Sequence, residues 1–421
     1  MMERNCMEAV KQENLLGMDI RSSYSQMSYQ VEGMEEPFSY EASEGNFQIP
    51  NVLFYGKNTK KWYSGQEACM REGEEEGVLL DKWEVLFQTK EIIVGKESYT
   101  PKQLFVKMIA LHIKHVVGTL QFDRIVLTAE HEKYLLEELE ETLQKELALP
   151  NVIVQRIMHS TAFTAFALHQ EACHGVRNVG LIEYYGDEIS YQYLGRTPAG
   201  DMLQVQTVPL TGEFRRIKGE SKDEKFATML VNVFYRYRTP IVYLIGDGFE
   251  GDWMQKTLKV LCHNKRAFVG QNLFTKGAFF FGKEEPEKRN PKLLADGLCQ
   301  YDIGIVATIK GQSCFAPVVG GGCDWYGRKN TIQFVLEDQK QIVIVYQNLR
   351  TKELEKEIFP LEGIEKRPPM TTRVELEIAY TSQKEGYMKV KDLGFGELYP
   401  SSRRIWVKKF SLDDERGRIN G

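Results

Sequence analysis

The sequence predicts an α/β protein that changes class along its length: strands alternate with helices over roughly the first three hundred residues, and strands alone occupy the remainder. Three observations carry this reading. Apolar runs with a helical period, such as Ser98 to Gly118, alternate with short β-rich runs such as Arg124 to Leu127. After Asn330 the helical period disappears, and VELEIAY and YMKVKDL alternate residue by residue. The chain is 421 residues long, 42% hydrophobic and 27% charged, enough apolar material for about two or three buried cores.

Residues 1–13 form a polar tail without the apolar centre of a signal peptide. From Asn14 an apolar strand reaches Asp19, a polar turn carries Ser22 and Ser23, and an alternating strand runs from Tyr24 to Val31. In Ser98 to Gly118, Thr100 is placed to cap, Pro101 suits the first helical position, and Leu104, Phe105, Met108 and Ile109 form one stripe. After the strand at Arg124 a second helix is expected over Glu130 to Leu147, with Leu135, Leu136, Leu139 and Leu143 inward and its acids and lysines in water. Val152 to Leu168 reads as a strand and a small-residue helix, with Cys173 and His174 at the end of a core helix rather than on a metal. One helix is expected over Ser221 to Tyr237, with Phe226, Leu230, Val233 and Phe234 inside, before the strand Ile241 to Ile245. The class change falls near residue 300, between the charged loop Lys283 to Lys292 and the triple glycine Gly320 to Gly322.

Composition excludes several classes. With 54 basic and 59 acidic residues the formal charge is −5, which argues against a broad nucleic-acid or anionic-membrane surface. No window approaches the ~18 apolar residues of a membrane span, and a cytoplasmic location is expected. Seven cysteines, an odd number with no C-x-x-C pair, indicate neither a disulfide framework nor a zinc site.

The hairpin NLLGMDIRSSYSQMSYQ (Asn14 to Gln30) opens a series of ordered landmarks. It is followed by IPNVLFYGKNTKKWYSGQEACM (Ile49 to Met70), VIVQRIMHSTAFTAFAL (Val152 to Leu168), IVYLIGDGF (Ile241 to Phe249), TKGAFFFG (Thr275 to Gly282) and YDIGIVATIKGQ (Tyr301 to Gln312). In this order they resemble the seventy-kilodalton heat-shock chaperones of the DnaK type, within the actin and sugar-kinase ATPase superfold. A closer similarity is to bacterial proteins without an assigned function that share the GQNLFTKGA and KDLGFGELYPSS stretches. The resemblance implies a first lobe over 14–175, a reduced second lobe over 176–302 lacking most of one nucleotide-clamp subdomain, and a β-sandwich over 303–421 with no helical lid. Phe334, Val343, Val345 and Ile378 are expected in the core of that sandwich.

The resemblance also implies a nucleotide site. Asp19 would order Mg²⁺, with Gly17, Ser22 and Ser23 on the first phosphate hairpin, Gly186 on the second, and Gly246 and Gly248 on the adenosine loop. Asp19, His159 and Glu183 are the catalytic candidates; Lys90 and Lys96 are candidates for the first-lobe lysine. Departures outweigh these matches. Arg21 stands where glycine would admit a phosphate. His159 replaces a water-positioning carboxylate and has no evident orienting partner in sequence. Glu183 replaces an Asp, Tyr184 and Tyr185 crowd the second turn, and Asp187 and Glu188 would repel phosphate. Each like-charge pair at ~4 Å costs on the order of 4 kcal/mol at an effective dielectric of ~20. The expectation is a non-catalytic DnaK-like interaction or scaffold protein with a degenerate cleft, no firm cofactor beyond weak Mg-ATP or Mg-ADP, and a protein or peptide partner. The alternatives are an ATP-binding chaperone-like protein or weak ATPase, and an actin-like cytoskeletal or division factor.

Overall fold

The computed structural model describes residues 13–412, apart from 35, 119, 137, 174–177, 198–201, 220, 285–291, 296 and 338–340. The tail over 1–12, His174 and most of the charged loop after Lys283 therefore lie outside the described residues. Two compact units emerge: Met1–Tyr193 with Val208–Arg289, and Leu194–Thr207 with Asn290–Gly421.

The first unit is mixed α/β. Its first sheet centres on β1 (Leu15–Ile20), whose six residues are all buried, as befits a strand covered on both faces. β2 (Tyr24–Gln30) returns antiparallel to β1 and β3 (Phe38–Ser39) follows it. After helix α1 (Pro101–Val117), β4 (Arg124–Ala129) pairs parallel with β1, and β5 (Ile153–Met158) parallel with β4. The order is β5-β4-β1-β2-β3. Helix α2 (His159–His169) leads on, and the second sheet starts at β6 (Val179–Tyr185) with the hairpin strands β7 (Glu188–Arg196) and β8 (Leu203–Pro209). Helix α3 (Lys222–Arg236) precedes β9 (Ile241–Ile245), which lies parallel to β6, and β10 (Arg266–Val269) lies parallel to β9. The order is β10-β9-β6-β7-β8, the same plan as the first sheet: a central strand with a hairpin on one side and two parallel strands on the other. β11 (Leu293–Leu294) pairs with β8.

Helix α4 (Leu273–Lys283) packs where only small residues fit. A Cβ on Gly277 would lie 2.1 Å from the Ala162 carbonyl of α2, and one on Gly17 2.2 Å from the Thr275 carbonyl. Gly17 is thus required by a strand–helix approach. α1 begins on a complete capping box: Thr100 accepts from Gln103 N, Gln103 accepts from Thr100 N, and Pro101 takes the first turn.

Three expectations are corrected. The helix over Glu130 to Leu147 is broken into a single turn at Glu132–Tyr134 and a helix at Leu139–Glu146. Its leucines are buried as expected; Tyr134, in the single turn, stacks on Phe105 with ring centres 5.8 Å apart, and its hydroxyl donates to Glu84. Two helices, not one, precede β9, because Thr211–Arg216 forms a separate turn-and-a-half before α3. In the β unit, Ile378 is in the core, Phe334 packs against it and Val345 is buried at 1% exposure, as expected, whereas Val343 is only half-buried, on the opposite face from Ile342 and Ile344.

The second unit is strand-only among the described residues after Tyr301. Its strands are β12 (Tyr301–Ile309), β13 (Gln312–Val319), β14 (Lys329–Val335), β15 (Gln341–Asn348), β16 (Leu354–Pro360), β17 (Arg373–Tyr380), β18 (Glu385–Gly394) and β19 (Ile405–Ser411). They make two four-stranded sheets, β13-β12-β15-β16 and β14-β17-β18-β19, around one core of Ile303, Ile344, Leu376, Ile378, Met388 and Val390. No described helix in either unit is long and apolar enough to cross a membrane.

Candidate functional site

The end of β1 delivers Asp19, and the turn after it delivers Arg21, onto residues from α2 and β6 of the same unit. Asp19, Arg21, His159 and Glu183 are all buried, at 1, 7, 4 and 7% exposure. Arg21 Nε donates to Asp19 Oδ2 at 3.2 Å and its Nη2 to Glu183 Oε2 at 3.4 Å; the half-exposed Glu130 stands 3.7 Å from Nη1. The guanidinium lies 4.1 Å over the ring of Tyr185 and 5.4 Å from that of Phe274. His159 Nε2 donates to Asp19 Oδ1 at 2.6 Å, while its ring stacks 3.7 Å from Phe274 at the start of α4. Gln192 on β7 holds Glu183 Oε1 at 2.6 Å.

Local packing fixes the arginine. Asn51 Nδ2 donates to the Arg21 carbonyl at 2.6 Å, Ser25 Oγ donates to Asn51 Oδ1, and buried Trp83 Nε1 donates to the Asn51 carbonyl. Burial pushes the Asp19 carboxyl up, but His159 and Arg21 together outweigh it and hold the group below the ordinary carboxylate value. Burial works against the Arg21 cation as well, yet Asp19, Tyr185 and Glu183 raise its pKa, so it stays charged. Burial pushes the Tyr185 hydroxyl far up, and Tyr24 up to about 12, so both phenols are neutral donors.

The sequence expectations meet this geometry unevenly. His159 does have an orienting partner: Asp19, 140 positions away, which no local pattern reveals. Of the tyrosine pair only Tyr185 faces the cluster. Tyr184 turns inward and stacks on Phe226 at 5.6 Å, and a Cβ on Gly246 or Gly248 would strike it, at 2.1 Å from its carbonyl or 2.2 Å from its ring. Those glycines therefore make room for Tyr184. Gly186 sits in the turn with φ +54 and its N–H donates to Asp247 Oδ1 at 2.9 Å. Asp187, Glu188, Ser22 and Ser23 are exposed, as are Lys90 and Lys96. The buried acids that meet Arg21 are Asp19 and Glu183, and the sequence offered no sign that Arg21 would bridge them.

Beside the cluster lies a cavity of about 190 Å³ lined by Tyr24, Gln26, Tyr185, Asp247, Asn272 and Phe274, among others. Sites for drug-sized ligands run from about 300 to 1,000 Å³, so this cavity is smaller than most of them. Among the described residues no group of three His, Cys, Asp or Glu side chains is arranged to hold a metal.

Residues 298–412 match a domain of unknown function, DUF8552, which covers the strand-only unit. No curated protein matches the chain. Residues 34–295 match the C-terminal family of unknown function DUF5716. That match begins after the β1–β2 hairpin, so it includes His159, Glu183 and Tyr185 but not Asp19 or Arg21. Because it covers more than half of the sequence, the chain belongs to the DUF5716 C-terminal family.

Proposed function

We propose that this protein is a non-catalytic interaction or scaffold protein on a two-lobed actin- or DnaK-like frame, its cleft filled by its own arginine. The observation that carries this reading is the Arg21 guanidinium between Asp19 and Glu183. A side-chain cation occupies the place where a metal-bound phosphate would need room, and the ring of Tyr185 covers it. The repeated strand order of the two sheets and the close α2–α4 crossing support the frame. Phosphoryl transfer depends on positioning and on charge placed around the transferring group. Here Arg21 is already neutralised by two buried acids, and His159 is bound to Asp19. The latched cluster joins the two sheets without a nucleotide, which suits a protein that presents a fixed surface.

Phosphate release from Mg-ATP tests this. No turnover above a protein-free blank is expected, and Asp19→Ala is expected to leave that result unchanged. Turnover that Asp19→Ala abolishes would sink the reading and favour an ATPase.

A further inference from the structure

Among the described residues, strand β19 ends its sheet with one side unpaired. The hydrogen bonds from Asp392 N to Arg404 O (3.1 Å) and from Leu412 N to Lys384 O (2.7 Å) frame its ladder with β18. In an antiparallel pair alternate residues turn both backbone groups toward the partner, so the even-numbered residues of β19 face β18. Ile405, Val407 and Lys409 turn theirs to the side where no described strand follows. The even-numbered side chains pin the strand: Trp406 Nε1 donates to the Glu362 carbonyl at 2.9 Å and Lys408 Nζ to the Ile358 carbonyl at 3.1 Å. The edge is open yet anchored.

Its outer face is apolar and basic. Ile405 and Val407 are 52 and 62% exposed. Lys391 stands beside Ile405 and Lys389 beside Val407 on β18, with Lys409 further along β19. The acids next in line, Glu375 and Glu377, are engaged by Gln333 Nε2 and by the Tyr387 hydroxyl. None of the three lysines has an ion pair among the described residues.

We propose that the β19 edge takes up an extended acidic segment of a partner protein, which adds a fifth strand to the β14-β17-β18-β19 sheet. Free N–H and C=O groups supply the pairing, Ile405 and Val407 supply apolar contact, and the lysines select acidic side chains. A second copy of this strand is a poor occupant, since pairing β19 with itself brings lysines together. The inference does not depend on the state of the Arg21 cleft.

Fluorescence anisotropy with the full chain tests it. The probes are a labelled peptide of about eight residues alternating Glu and Val, its Lys–Val counterpart, and the Glu–Val peptide N-methylated at alternate residues. Val407→Pro removes an N–H that points off the sheet without breaking a ladder bond, and the pair Lys389→Glu and Lys391→Glu reverses surface charge. Saturable binding of the Glu–Val peptide is expected, with none for the N-methylated form. Val407→Pro should weaken it about tenfold, and the charge-reversed protein should prefer the Lys–Val peptide. The proposal is overturned if the Glu–Val peptide does not saturate, if the N-methylated form binds equally, or if folded Val407→Pro and the charge reversal both leave binding unchanged.

Discussion

Each unit of this protein buries an arginine against an aspartate, and the two pairs differ in a way that separates architecture from function. In the β unit Arg367 grips Asp392 with two bonds, Nη1 to Oδ1 at 3.0 Å and Nη2 to Oδ2 at 2.8 Å, and Nη2 also reaches the Pro400 carbonyl. The carboxylate is completed by Gly394 N, Ser402 N and Ser402 Oγ. Burial works against that carboxylate, but Arg367 and Ser402 outweigh it and hold the group far below the ordinary value. Every group in this clamp has a partner, and its purpose is to fasten the Arg367 loop and the turn after β18. Arg21 is different. It is spread over Asp19, Glu183 and Glu130 at 3.2 to 3.7 Å, makes no two-pronged bond, and leaves His159 Nδ1 without a partner. The first pair is a matched two-pronged clamp; the second is a cation shared among several acids at longer range.

Three substitutions sharpen that contrast. Arg367→Met leaves Asp392 buried without its counter-charge and should cost about 3–5 kcal/mol in urea unfolding of the β unit. A loss under about 1 kcal/mol would mean the clamp is not structural. Arg21→Gly should cost less, about 1–3 kcal/mol, because its bonds are longer and the space it vacates can admit water. Asp19 and Glu183 then face a cavity without a cation, so millimolar Mg²⁺ or Mn²⁺ should raise the melting temperature of this variant and not that of the parent. Equal metal response in both proteins would show that Arg21 does not hold a cation's place.

The smallest effect concerns pH. The folded Asp19 carboxyl titrates below its ordinary value near 3.8, so its contribution is fully present above that value and is lost as pH falls through the folded one. The urea-midpoint gap between the parent and Asp19→Asn should therefore be flat from pH 7 to about 5 and narrow below about 4. A gap that narrows between pH 7 and 6 would place the coupling on a different group.

How much of this was legible in the sequence depends on range. Local chemistry was plain: Thr100 and Pro101 announced α1, the stripe after Ser221 announced α3, and the alternation after Asn330 announced the strands. Periodicity misled where the structure breaks a continuous stripe, as between the turn at Glu132–Tyr134 and the helix at Leu139–Glu146. In the cleft Asp19, His159 and Glu183 could be singled out one by one. Their union was hidden, because Arg21 meets Glu183 across 162 positions and periodicity carries no information over that span. Tyr184 and Tyr185 looked alike in sequence, and β-strand alternation sends one to the core and the other to Arg21.

Calorimetric titration of Mg-ATP and Mg-ADP into the parent protein addresses the central claim most directly. A cleft filled by Arg21 predicts no saturable heat with either nucleotide up to about 1 mM, the concentration at which binding of about −4 kcal/mol would show. Saturable binding in the micromolar range that Asp19→Ala abolishes would contradict the account, because Arg21 would then have to leave Asp19 and Glu183 for a ligand.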